Sequence, residues 1–220
     1  MQYKGGKSSA ADMAIRQQRL LETGFQHFAR VGIEDGGMKE IAREAGVGIA
    51  TLFRYYPSKL DFVIAIGMWK WDQVFQDVFD QLRDMDVTSL TSAQRYEFFL
   101  NTFIVLYQNN RMLLRFNQFF NIYLQEERRA PSVLHPYLTM IDSISDRFAE
   151  NVGSLVSDGT MRQDIPARKI FVTSLHLMLA VATRFAVGLV YQPVSAMKPE
   201  EELLLLKQML LTTFTTQEPA

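Results

Sequence analysis

The stretch from Lys39 to Lys59, KEIAREAGVGIATLFRYYPSK, is where residue types and spacing in this chain specify a chemistry. That chemistry is recognition, not bond breaking. Ile41 and Ala45 point inward from one short helix, and Ala42 is small where a second helix must cross closely. Gly46 stands where the first helix ends and the backbone turns, a position that often needs a positive φ. Val47 plugs the turn, and Leu52 with Tyr55 or Tyr56 returns to the same core from the second helix. A small residue, a glycine four positions on and an apolar residue six further is the helix-turn-helix pattern. Its geometry lets the second helix stand proud of the domain and enter a DNA major groove.

Other chemistries find little support. The absence of cysteine excludes a disulfide scaffold, a zinc–cysteine site, an iron–sulfur cluster and a thiol nucleophile, and it fits a cytoplasmic protein. His27, His135 and His176 are not spaced as ligands on one helix, so no metal site is expected. His27 reads as a surface or interface residue. His176 lies on an apolar helix, as a core histidine or a ligand contact. No nucleophile–base arrangement is visible, so neither an enzyme nor a cofactor is expected. The segment GGKSS ends like a phosphate loop but lacks the leading glycine and the preceding strand. GVG follows a helix and lacks the third glycine of a dinucleotide fingerprint.

The elements that must position the motif are helices. The chain has 220 residues, 48% hydrophobic and 21% charged, enough to bury a substantial core. No strand-length window alternates β-branched and polar residues, and no Asn-Gly or Asp-Gly joins two apolar runs as a hairpin. Glycine and proline divide the chain into nine helical segments, near 12–31, 38–45, 49–56, 59–83, 92–109, 111–128, 136–157, 166–191 and 199–216. The N-terminus has no apolar core and is not read as a secretory signal. Residues 170–191 are almost long enough to span a bilayer, but Arg184 lies inside them, so a buried protein helix is expected. Residues 1–60 carry nine Lys/Arg against six Asp/Glu, leaving a modestly basic head on an acidic body.

Residues 96–123 hold nine of the 26 aromatic residues. One by one they read as ordinary core. Together they suit an apolar pocket between helices, with Arg115, Asn117, Gln118 and Asn121 as polar handles. The expected lining is Phe99, Phe103, Tyr107, Met112, Phe116, Phe119, Phe120, Tyr123, Met140, Phe148, Phe171 and His176.

The motif resembles the DNA-binding signature of tetracycline-repressor-like (TetR) family regulators. The preceding RLLETGFQHFARVG is similar to that family's first helix, and SDGTMRQDIPAR resembles its loop before the eighth helix. The resemblance implies that Lys39 reaches a base edge or phosphate. Gly48, Ile49 and Ala50 would face base edges, and Thr51 would contact phosphate. It places Phe53 and Tyr55 on the DNA backbone and Lys59 on a phosphate. Arg54 is added because Ile49 and Ala50 can touch a thymine methyl but cannot read guanine. Two departures stand out. Gly36-Gly37 replaces a Ser or Thr cap, and Phe53 lacks the hydroxyl of a tyrosine.

The sequence therefore predicts an all-α protein. A three-helix head over residues 1–58 would carry the helix-turn-helix, and residues 59–220 would form an effector-binding and dimerisation body. Leu203, Leu206, Leu210 and Phe214 are expected at a homodimer interface with the 170–191 helix. The implied partners are a double-stranded operator and a small apolar or aromatic effector, with no membrane role. The competing reading is a ligand-binding or scaffold protein on the same fold that has lost DNA recognition.

Overall fold

The computed structural model of the chain describes residues 10–84, 89–126, 134–143, 146, 158–188 and 197–216. These residues are almost entirely helical: α1 (Ala10–Val31), α2 (Met38–Glu44), α3 (Ile49–Tyr55), α4 (Lys59–Asp84), α5 (Ser92–Asn109), α6 (Arg111–Glu126), α7 (134–143), α8 (Ala167–Val187) and α9 (Pro199–Phe214). The helix starts and stops lie within a few residues of those read from glycine and proline. Most of the expected seventh helix, and with it Phe148, lies outside the described residues.

Local chemistry sets the boundaries. The turn after α2 is closed by two backbone bonds, Gly46 N–H to the Arg43 carbonyl at 3.1 Å and Val47 N–H to the Ala42 carbonyl at 2.9 Å. Gly46 takes φ +67°, the left-handed conformation such a helix ending needs. α4 begins in a reciprocal cap. Ser58 Oγ accepts from Asp61 N–H at 3.1 Å, and Ser58 N–H donates to Asp61 Oδ2 at 2.9 Å. Thr91 and Gln94 cap α5 in the same way.

α1 joins head to body. Leu20 and Phe28 are fully buried with Ile41 and Leu52, forming the head core with α2 and α3. The same helix crosses α4 at Gly24, where a β-carbon would fall 2.5 Å from the Phe62 ring. It also packs on α6, with the Phe25 and Phe116 rings 5.6 Å apart.

The body packs α5, α6, α8 and α9 around a second part of the core. α8 is long and apolar enough to cross a membrane by length and composition. Here its Ile170, Phe171, Ser174, Met178 and Ala182 are buried against neighbouring helices. The buried Tyr96 hydroxyl and Ser174 Oγ lie 2.6 Å apart and satisfy one another between α5 and α8. Burial pushes the Tyr96 phenol up to about 12, against the lowering effect of that hydrogen bond. The loop around Gly159 (φ +77°) ties the start of α5 to the end of α9. Asp158 and Thr160 accept the Ser92 and Ala93 N–H groups at 2.6 and 3.0 Å, and Thr216 N–H donates to the Thr160 carbonyl at 3.0 Å.

His27 is buried, not a surface residue. It faces α2, with Nδ1 3.5 Å from Glu44 Oε2, and Arg30 approaches the same oxygen at 3.8 Å. Leu203, Leu210 and Phe214 are buried inside their own chain, and Leu206 is half-buried. α9 packs on α5 and α8, and its inward stripe is the one the sequence assigned to a partner. The opposite face, with Leu204, Leu205 and Met209, is exposed, as is Leu177 on α8.

Candidate nucleic-acid interface and ligand cavity

The closed turn at Gly46 and Val47 fixes how α3 sits on the head. Leu52 anchors it from below at full burial, and its outer side is left open. Gly48, Ile49, Ala50, Phe53 and Arg54 are exposed there. Ile49 and Phe53 keep 38% and 42% of their surface accessible, a large apolar exposure for a seven-residue helix. Thr51 is half-buried. Lys39 is exposed on α2. Arg54 lies over the Tyr55 ring, 5.5 Å from its centroid.

Two residues of the expected contact set turn inward. Tyr55 follows Leu52 by three positions and so shares its inner face. Its hydroxyl is buried with no hydrogen-bond partner among the described residues. Lys59 is half-buried and donates to the Glu34 carbonyl oxygen at 3.0 Å. Its ammonium lies 5.8 Å from the Phe28 ring centroid and 5.9 Å from that of Tyr123. Burial pulls its pKa below the usual lysine value, with Glu34 and Asp35 opposing that shift.

A cation that the motif did not reveal stands beside the turn. Arg19 is exposed on α1, with Nη1 4.0 Å from where a side chain at Gly46 would begin. It is 20 residues upstream of Lys39, and only the packing of α1 on α2 brings it there. Arg43 is also exposed on α2. Hydroxyl, guanidinium and ammonium groups around an exposed apolar helix suit phosphate oxygens and thymine methyls.

The glycine pair before α2 has two different causes. A β-carbon at Gly36 would lie 2.4 Å from the buried Phe28 ring, so glycine is required there. Gly37 is the N-cap of α2, with no side-chain cap of its own. The Glu40 carboxylate occupies the place where its side chain would be, three residues into the helix where a negative charge is favoured.

In the body, a cavity of about 290 Å³ lies among α4, α5, α6, α7 and α8. Of the expected lining, Phe99, Phe103, Phe171 and His176 are there, with the handles Asn117 and Asn121. Tyr107, Met112, Phe116, Phe119, Phe120, Tyr123 and Met140 are not. The reason is the orientation of α6. Its aromatic stripe faces α1, α4 and α7: Phe116 meets Phe25, Phe120 sits 3.1 Å from where a β-carbon on Gly67 would be, and Tyr137 stacks edge-on to Phe120 at 5.0 Å. The polar pair Asn117 and Asn121, one turn apart, faces the cavity instead. Trp71, Val74, Phe75 and Val78 of α4 supply a wall that the sequence reading missed. Their spacing of three or four is that of any buried helix face, so no local signal distinguishes a cavity wall from core.

An exposed helix-turn-helix on a helical body with a cavity defines an all-α protein with an N-terminal helix-turn-helix head. Residues 20–66 match the model of the bacterial regulatory proteins of the tetR family. A 48-residue stretch is 46% identical to the HTH-type transcriptional regulator LuxR of Vibrio harveyi, covering 22% of this chain and 23% of LuxR. Solved structures extend the likeness in fold to nearly the whole chain. A Saccharomonospora viridis protein in complex with choline superposes with a TM-score of 0.72 at 18% identity, over 93% of this chain and 100% of that one. The fatty acid degradation regulator FadR of Bacillus halodurans gives 0.67 at 14%, over 88% and 97%. The ketosteroid transcriptional regulator KstR2 of Mycobacterium tuberculosis gives 0.61 at 14%, over 92% and 96%.

Proposed function

We propose that this protein is a DNA-binding transcriptional regulator, a repressor that leaves a palindromic operator when a small effector enters the cavity of the body. The exposed face of α3 carries the reading: Ile49 and Phe53 stand open to solvent beside the exposed Lys39 and Arg54. Residues 1–58 act as the reading head, and the body dimerises through α8 and α9. The apolar face left open by Leu177, Leu204, Leu205 and Met209 takes the place of the interface expected from Leu203, Leu206, Leu210 and Phe214. Two heads related by a two-fold axis then meet half-sites about one helical turn apart or somewhat more.

α4 is the element that couples the two sites. It follows α3 after three residues, and its middle forms a wall of the cavity. Its crossing with α1 at Gly24 is too close for independent movement. A ligand that displaces Trp71 or Phe75 therefore moves the head with α4. The effector releases DNA only to the extent that it prefers the displaced arrangement.

The test is fluorescence anisotropy with labelled DNA from upstream of the protein's own gene, at several salt concentrations and with excess competitor. Binding that survives competitor and falls steeply with salt supports the reading. The inward turn of Tyr55 and Lys59 favours a second reading, a scaffold or ligand-binding protein on this fold with weak DNA recognition. Competitor-sensitive binding without site preference would establish that alternative.

A further inference from the structure

We propose that the effector is an amphiphile whose apolar body fills the inner cavity and whose anionic, hydrogen-bond-accepting end sits at a polar seam between α6 and α8. This rests on the reading of the body cavity as the effector site. A second, wider cavity of about 630 Å³ lies against the first, and the two share Asn117, Asn121, His176 and Leu179. Asn117 is only 5% exposed and lines both cavities. Thr183, also 5% exposed, lines the wider cavity, and its Oγ1 has no partner. Buried polar groups are nearly always paired. An apolar molecule confined to the inner cavity would leave Thr183 Oγ1 unpaired, whereas a ligand with a polar end at the seam can bond both Thr183 and the Asn117 amide. The charge of that end follows from the lining. Arg184 and His176 border the seam, and among the described residues no aspartate or glutamate lines either cavity. The amide of Asn117, the hydroxyl of Thr183 and the guanidinium of Arg184 all donate to a carboxylate, and charge-assisted bonds of that kind are the stronger ones.

Trp71 lines the inner cavity, so binding reads out as a change in tryptophan fluorescence. The probes are naphthalene, decanoate, decanol and decyltrimethylammonium, each titrated into the full-length protein. The wild type should bind decanoate at least tenfold more tightly than decanol or decyltrimethylammonium. Asn117→Leu and the exposed-site variant Arg184→Gln should each weaken decanoate by about tenfold and leave naphthalene unchanged. Arg184→Gln keeps the test valid if Asn117→Leu fails to fold. Naphthalene binding in all three proteins with unaltered decanoate affinity overturns the seam and leaves the effector cavity standing. Tighter binding of the cationic probe overturns the anionic assignment. No fluorescence response to any probe overturns the cavity reading, and the seam with it.

Discussion

At Gly36 one added carbon would lie 2.4 Å from the Phe28 ring and 2.9 Å from the Gly32 carbonyl oxygen, and neither can retreat from a fully packed core. Gly36→Ala is expected to lower stability by about 1–3 kcal/mol, the usual cost of overpacking, read as a shifted midpoint in urea unfolding. Gly48 has the opposite surroundings. Its φ is −69°, and the nearest atom to an added carbon is Thr51 Oγ1 at 4.0 Å. Gly48→Ser should leave stability equal or raise it by a few tenths of a kcal/mol through better capping of α3. The cations separate in the same way. Lys39 is exposed and Lys59 is engaged with the Glu34 carbonyl. Lys39→Ala should reduce the salt slope of operator binding by about 0.9, one phosphate's worth, without changing the unfolding midpoint. Lys59→Ala should do the reverse, since it removes a bond that holds the α1–α2 loop to α4. Equal slopes for Lys39→Ala and wild type would remove Lys39 from the interface.

At the scale of elements, the loop before α8 acts as an external cap for α5. Burial raises the Asp158 carboxyl pKa, but the N–H groups of Ser92 and Thr160 and their hydroxyls outweigh it, holding it at about 2 against an ordinary 3.8. A carboxyl depressed in the folded state stabilises it fully above the unfolded value and loses that contribution as pH falls through the folded one. Stability from Asp158 is therefore present above about pH 4 and disappears as the pH falls towards 2. Asp158→Asn should flatten the acid limb of the thermal midpoint between those values. An unchanged acid limb would show that the cap contributes nothing. α6 teaches a second lesson at this scale. Both its faces are well patterned, but the aromatic one joins head to body and the amide-bearing one faces the cavity.

At the scale of the whole molecule, α8 and α9 still present Leu177, Leu204, Leu205 and Met209 to solvent, with Met209 57% exposed. On the proposed reading a second copy covers this face. Met209→Lys should convert a dimer to a monomer in sedimentation velocity and weaken operator binding, because two linked heads bind far more tightly than one. Leu203→Lys would unfold the protomer instead, since that side chain is fully buried. A dimer that survives Met209→Lys and Leu205→Glu together would place the interface elsewhere.

The helix boundaries, the glycine-centred turn and the position of the second helix of the motif follow from local rules. Capping groups, positive φ and a 3.6-residue period act within a few positions of one another, so the amino-acid sequence by itself determined them. The facing of each helix did not follow in that way. α6 and α9 each carry apolar residues on more than one side, and periodicity cannot say which side meets its own chain, a cavity or a partner. Only tertiary packing sets those rotations: at Gly67 the close approach admits the Phe120 ring of α6 where a side chain would otherwise stand, and α9 is fixed by its packing on α5 and α8. That is why the sequence reading placed the aromatic stripe of α6 at a pocket and the inner stripe of α9 at an interface, where the structure shows them packed within the chain. The same tertiary packing brought Arg19 to the turn and turned Tyr55 and Lys59 inward, because distance in space is decided by helix packing and not by distance along the chain.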